Sequence, residues 1–199
     1  MSSALRVQQP DPAIPDRLAG FNIMAWQVGS RIRAATIDDA AALATLIEGF
    51  AQNHPGATHP RSIEAMTEAY LGHDPVARVL LAERNGAALA FGAWRKTYDP
   101  YWSCFGGEVM ALYVEPACRG RGVALSLVAT IAAGVRAYGG RFLQGNYGDT
   151  VAPLYERMAV GRDERACHLS AEDFETIATA AGSSPREILR RWRETRQQF

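Results

Sequence analysis

The sequence has no excess of either charge, no long apolar segment and few cysteines. Its 21 Lys and Arg residues balance its 21 Asp and Glu residues, so its formal net charge is zero. Broad attraction to nucleic acids or membrane surfaces favours a basic excess, and a membrane-spanning helix needs about 20 consecutive apolar residues. The N-terminus also lacks the charged-then-apolar pattern of a secretory signal. These absences predict a cytoplasmic protein with no nucleic-acid partner and no membrane partner.

The three cysteines, Cys104, Cys118 and Cys167, indicate neither a disulfide framework nor a metal centre. They are odd in number and do not have the spacing of metal ligands. Reduced thiols in a cytoplasmic protein account for them. We therefore expect no metal site.

The pattern that organises the chain lies between residues 108 and 135. Residues 108–114 form an almost unbroken apolar run with aromatic and β-branched members, which is typical of a buried strand, and Pro116 ends it. Gly120 and Gly122 follow in a short basic turn. Apolar residues then recur at helical spacing, at Val123, Leu127, Ile131 and Val135. This order of strand, glycine turn and helix favours a phosphate-bearing ligand, because free amides and the helix dipole attract anions.

Two well-known phosphate loops do not fit this turn. A Walker loop ends in Gly-Lys-Ser/Thr, which is absent, and a dinucleotide fingerprint needs a third glycine where this chain has Leu125. The run Arg119-Gly-Arg-Gly122-Val-Ala124 instead matches Arg/Gln-x-x-Gly-x-Gly/Ala at every fixed position. It follows Leu112-Tyr-Val114-Glu-Pro116, a strand ending that usually accompanies that motif. In these residues the chain resembles the GNAT (GCN5-related N-acetyltransferase) superfamily.

The resemblance covers roughly residues 31–169 and implies the fold class. It predicts an α/β (α+β) GNAT fold, with a mixed central sheet of six to seven strands flanked by helices and a C-terminal helical extension. We expect an extended leader over residues 1–29 and the acetyltransferase domain over residues 30–170. Residues 171–199 then form the C-terminal helical extension, packed on the domain or on a partner subunit.

Local patterns predict the individual elements. Thr36 caps a helix whose buried face includes Leu43 and Ile47. Asn85-Gly86 predicts a type I′ hairpin turn, because that turn needs positive φ at both central positions. Strands are expected at residues 31–35, 76–83, 87–96, 108–114, 141–146 and 165–169. Further helices are expected from Ser62, over residues 150–158 and 171–181, and from Ser184.

The resemblance implies a co-substrate and the residues that bind it. Enzymes of this superfamily transfer an acyl group, usually acetyl, from coenzyme A to an amine, so acetyl-CoA (coenzyme A) is expected here. The glycine turn should hold the pyrophosphate through backbone amides, with a larger residue at Gly122 or Ala124 blocking its approach. The strand end should pair with the pantetheine amides. The implied set is Leu112, Tyr113, Val114, Arg119, Gly120, Arg121, Gly122, Val123, Ala124 and Asn146.

Two residues are the candidates for proton transfer. Glu108 is the only charged residue of its strand, and several members of the superfamily use a glutamate at this place as general base. The other interpretation is a strand-end glutamate in water or paired with Arg95. Without a bulge, Glu108 shares a face with the other even-numbered residues of the strand. Tyr155, in Leu-Tyr-Glu-Arg-Met, resembles the family's general acid; otherwise it is a core tyrosine of an amphipathic helix.

The acceptor is open at this stage. His54 lies in a loop of the region that forms one wall of the acceptor site in this superfamily, and an aromatic connection holds Tyr98, Tyr101 and Trp102. Aromatic lining suits an apolar or cationic amine, but equally a structural cluster or a dimer contact. We expect acetyl transfer to a primary amine of a small molecule by direct attack in a ternary complex. The alternatives are a protein N-acetyltransferase and a non-catalytic acyl-CoA sensor, and a homodimer is an open arrangement.

Overall fold

The computed structural model describes residues 30–53, 62–146, 161–163 and 166–196. The strands are β1 Ser30–Ala34, β2 Arg78–Arg84, β3 Ala87–Asp99, β4 Cys104–Val114, β5 Phe142–Asn146, β6 Gly161–Asp163 and β7 Ala166–Ser170. The helices are α1 Ala40–Gln52, α2 Ile63–Leu71, α3 Val123–Ala137, α4 Ala171–Thr179 and α5 Pro185–Arg196. None of the helices in these ranges is long and apolar enough to cross a membrane.

The seven strands form one mixed sheet in the order β1-β2-β3-β4-β5-β7-β6. Every neighbouring pair is antiparallel except β4 and β5, which are parallel and are connected through α3. This agrees with the α/β (α+β) fold and the six to seven strands that the resemblance implied. The single parallel pair therefore lies at the centre of the sheet, directly before and after the glycine turn and its helix.

Alternate side chains of the strands fill two separate cores. Leu80, Ala82 and Trp94 belong to the core that α3 covers. Their neighbours Val79, Leu81 and Ala93 lie on the other face and pack with Leu43, Leu46 and Ile47 of α1. Because successive strand residues point to opposite faces, α1 and α3 cover opposite faces of the sheet.

The predicted hairpin turn is confirmed, whereas some element bounds were wrong. Asn85 and Gly86 have φ of 51° and 80°, and Arg84 pairs with Ala87 across a two-residue loop. The aromatic connection is shorter than expected, because β3 continues to Asp99 and β4 already begins at Cys104. Residues 161–163 form β6, a strand that the sequence pattern did not indicate. The helix predicted over residues 150–158 lies outside the described residues.

An ion-pair cluster attaches β1 to β2 and to the start of α1. Arg33 donates to both carboxylate oxygens of Asp39, at 2.6 and 2.7 Å, and to Glu83 at 2.8 Å. Arg31 also donates to Glu83, which is only 5% exposed. The backbone amide of Thr36 donates to Asp39 at 2.8 Å. The bond from Arg33, followed by the bond from Thr36, holds the pKa of Asp39 well below its usual value.

Replacing Asp39 should reduce stability at neutral pH and reduce it less in acid. A lowered folded pKa contributes stability above the unfolded pKa of about 4, and this contribution disappears as the pH falls. We expect Asp39→Asn to lower the free energy of unfolding by roughly 1–2 kcal/mol at pH 7, with a smaller difference at pH 3. Urea unfolding at both pH values measures this. Asp38→Asn, at an exposed position of the same turn, is the control; equal losses for both variants would contradict the assignment.

Candidate active site

A β-bulge at Met110 divides β4 into two segments. Trp94 pairs with Val109 and Ala93 with Ala111, so Met110 is the extra residue on β4. The bulge reverses the alternation of faces. Glu108, opposite Arg95, therefore lies on the face that α1 covers, whereas Val109 packs into the core under α3.

The expectation that Glu108 shares a face with Leu112 and Val114 was therefore wrong. Leu112 and Val114 pack with the core under α3, while Tyr113 packs with the core under α1. The expectation depended on the absence of a bulge, which is a property of the pairing with β3. Glu108 thus lies on the opposite face of the sheet from the side chains of Leu112 and Val114.

Among the described residues, one edge of β4 has no strand partner over its second half. β4 pairs with β3 as far as Val114 but with β5 only from Gly107 to Val109. The amide of Glu115 donates to the Leu89 carbonyl at 2.9 Å, on the β3 side. By the alternation of an antiparallel ladder, Leu112 and Val114 direct their backbone groups away from β3. Within the described residues, the parallel pair of β4 and β5 therefore opens beside Leu112 and Val114.

The turn after β4 presents a row of unpaired amides. Gly122 is the N-cap of α3, with φ of 82°, and the first amide of α3 bonded to a preceding carbonyl is that of Ser126, to Gly122. Within the described residues, the amides of Gly120, Arg121, Gly122, Val123, Ala124 and Leu125 have no partner. Gly120 has φ of 73°, and a Cβ there would meet no atom within 4 Å. Open space and free amides at a helix N-terminus suit a pyrophosphate.

Arg119 makes contacts within the protein that its place in the motif did not indicate. Its amide donates to the Pro116 carbonyl at 3.3 Å, so it does not extend the row of free amides. Its side-chain Nε donates to the Val114 carbonyl at 2.9 Å, which occupies one of the outward groups of the strand end. Its guanidinium carbon lies 5.7 Å from the centre of the Tyr113 ring. Arg119 thus connects the strand end with the turn. Arg121 is exposed.

The Tyr113 side chain is part of the core. The residue is 6% exposed, and burial raises the pKa of its phenol. A Cβ at Gly49 of α1 would lie 2.2 Å from the Tyr113 hydroxyl oxygen. Tyr113 was one of three residues predicted to contact pantetheine, but its side chain is structural. The backbone groups that point away from β3 belong to the other two, Leu112 and Val114.

Glu108 is held by Arg95 and lies across from Gln144. The Arg95 Nε donates to Glu108 Oε2 at 2.8 Å, and the Glu108 side chain is 26% exposed. Glu108 Oε1 has no hydrogen-bond partner among the described residues. In the parallel register Glu108 pairs with Gln144, which therefore lies on the same face. Sequence reasoning missed Gln144, because only the register of β5 against β4 brings it to Glu108.

The predicted acceptor-site aromatics do not surround Glu108. Tyr98 lies on the opposite face, since the register alternates without a shift from Arg95 to Tyr98. It packs edge-on against Phe105, with ring centres 5.2 Å apart. Tyr101 and Trp102 occupy the turn between β3 and β4, are 87% and 73% exposed, and pack edge-on against each other.

Three other predicted site residues are described in part or not at all. His54 and Tyr155 lie outside the described residues. Asn146 ends β5 and pairs in register with Ala166 of β7. Among the residues with described positions, no three His, Cys, Asp or Glu side chains form a group that could hold a metal ion.

The comparisons with known proteins concern the family and the fold. A sequence model described as the acetyltransferase (GNAT) family matches residues 43–160, more than half of the chain. A search of curated proteins finds no match.

Solved structures of acetyltransferases have a similar fold. A ribosomal-protein-alanine N-acetyltransferase from Brucella melitensis biovar Abortus 2308 has a TM-score of 0.57 at 24% identity, covering 67% of this chain and 93% of that one. An N-acetyltransferase from Staphylococcus aureus Mu50 has a TM-score of 0.54 at 18% identity, covering 71% and 98%. An aminoglycoside N-acetyltransferase in complex with CoA has a TM-score of 0.54 at 21% identity, covering 68% and 89%. At these identities the likeness concerns the fold alone.

Coenzyme A should protect the unpaired amides of this site from hydrogen exchange. At 100 times the Kd, amides that exchange only in the free protein should exchange about 100-fold more slowly. We expect this protection in peptides that cover residues 120–125, measured by mass spectrometry. Peptides from β2, which α1 and α3 cover, serve as the control. Coenzyme A binding without protection of residues 120–125 would contradict the assignment.

Proposed function

The chain belongs to the acetyltransferase (GNAT) family, and we propose that it transfers an acetyl group from acetyl-CoA to a primary amine of a small molecule. The transfer is a direct attack in a ternary complex. This proposal rests on the path of β4. From its unpaired edge at Leu112 and Val114 the strand leads in one direction to the free amides of the glycine turn. In the other direction it leads to Glu108, about 17 Å from Val114, because the bulge leaves five ladder steps between the two residues.

The residues present fit acetyl-CoA. The amides of residues 120–125 would hold the pyrophosphate. The outward backbone groups of Leu112 and the Val114 amide would pair with the amide groups of pantetheine, since the Val114 carbonyl accepts from Arg119. Arg121 adds positive charge beside the turn. Acetyl-CoA supplies the acetyl group as a thioester, whose C–S bond breaks as an unprotonated amine forms the C–N bond.

Before this attack, the chain must remove a proton from the acceptor ammonium, because only the unprotonated amine is nucleophilic. Glu108 can do so through Oε1, because Arg95 holds Oε2 and thereby orients the carboxylate. Gln144, on the same face, can hold the amine or a water molecule between the amine and Glu108. Tyr155 remains the proposed donor of the proton to the departing thiolate.

The acceptor class rests on the electrostatics around Glu108. The carboxylate is partly exposed on the α1 face, next to the half-exposed Arg95, so the site accepts a polar amine rather than a buried apolar one. Similar folds act on different acceptors, since one of the related structures is an aminoglycoside N-acetyltransferase and another a ribosomal-protein-alanine N-acetyltransferase. An amine panel should therefore hold polyamines, aminoglycosides and a peptide with an N-terminal alanine.

Removing the base should lower turnover without loss of cofactor binding. We expect Glu108→Gln to reduce kcat about 10²- to 10⁴-fold on the best amine, because general base catalysis contributes on this order. Its Kd for coenzyme A should stay at the wild-type value. Release of free thiol from acetyl-CoA measures turnover, and calorimetry measures binding. Tyr155→Phe tests the proposed acid in the same assay.

Glu175→Gln is the matched control, since Glu175 lies on α4 and pairs at the surface with Arg136 at 3.6 Å. It should keep the wild-type kcat and Kd. Full activity of Glu108→Gln would remove Glu108 from the mechanism. Coenzyme A binding by the wild-type protein without turnover on any amine of the panel would instead indicate an acyl-CoA sensor.

A further inference from the structure

The C-terminal helices pack on the helix that carries the cofactor turn. Phe174 and Ile177 of α4 are fully buried, and Ile188 and Trp192 of α5 are 1% and 3% exposed. All four belong to one core together with the side chains of α3, beginning at Val123. The position of α5 is therefore fixed relative to the start of α3.

Pro185, the first residue of α5, lies directly against Gly122. A Cβ built on Gly122 would come within 2.3 Å of both the Cβ and the Cγ of Pro185. A Cβ built on Gly120 would meet nothing within 4 Å. The two glycines of the turn thus have different neighbours: Gly120 borders open space, and Gly122 borders α5.

The Pro185 ring is a rigid neighbour. Ser184 caps α5, since its Oγ accepts from the Glu187 amide at 3.2 Å and its carbonyl from the Ile188 amide at 2.9 Å. Proline at the first helical position has a fixed φ and no amide hydrogen that would need a partner. The Ser184 cap and the burial of Ile188 together fix the position of the Pro185 ring.

We propose that Pro185 is a positioning residue for coenzyme A, which makes the C-terminal helical extension part of the cofactor site. This inference rests on the proposed function. Gly122 holds a left-handed conformation, with φ of 82°, and the ring packed against it limits the alternatives available to the turn. The amides of residues 120–125 then point outward before the pyrophosphate arrives. Without the ring, binding must first order the turn, which weakens affinity.

Pro185→Ala tests the proposal with two ligands, one that contains the pyrophosphate and one that lacks it. We expect the Kd for coenzyme A, measured by calorimetry, to rise about tenfold. The Kd for pantetheine, which lacks the pyrophosphate and is followed by NMR, should not change. In turnover, KM for acetyl-CoA should rise while kcat stays near the wild-type value. A rise for both ligands, or for neither, would overturn the proposal.

Leu43→Val is the control, because it loosens the core under α1, on the other face of the sheet, without touching α5 or Gly122. It should lower Tm and leave both Kd values unchanged. A second pair of variants tests the contact itself through stability: Gly122→Ala should lower Tm, and adding Pro185→Gly should restore part of that loss by removing the clash. No restoration would count against the contact. Wild-type protein that binds no coenzyme A would refute the proposed function, whereas wild-type binding with an unaffected Pro185→Ala refutes only this inference.

Discussion

The candidate site depends on the place where two parallel strands stop pairing. β4 and β5 share only the rungs from Gly107 to Val109, whereas β3 accompanies β4 to Val114. Gly145 permits this close approach at the last rung, since a Cβ there would lie 2.9 Å from the Val109 carbonyl oxygen. Backbone groups in the middle of a sheet need partners, so the free edge of β4 is suited to an extended ligand with amides of its own.

The bulge at Met110 reverses the alternation of side chains between the two faces of β4. After the bulge, Leu112 and Val114 pack under α3, and their backbone leads to the anion-binding turn. Before the bulge, Glu108 lies on the α1 face with Arg95 and Gln144. A single strand can therefore carry the cofactor along its edge and offer a carboxylate to an acceptor on one face.

Charge pairs have separate tasks in this molecule. The cluster of Arg33, Asp39 and Glu83 connects β1, β2 and the start of α1, far along the sheet from β5. The pair of Arg95 and Glu108 satisfies only one carboxylate oxygen and leaves the other available. Around the glycine turn, α3 and α5 begin next to each other, because Pro185 lies against Gly122.

The sequence by itself determined the features that depend on local order. The Asn85–Gly86 hairpin and the strand, glycine turn and helix from Glu108 onward follow from φ requirements, periodicity and proline placement within a few residues. Only the tertiary structure decided the face on which Glu108 lies, because a bulge at Met110 arises from pairing with β3. The same holds for Gln144 beside Glu108 and for Pro185 against Gly122, which are contacts between segments remote in the chain.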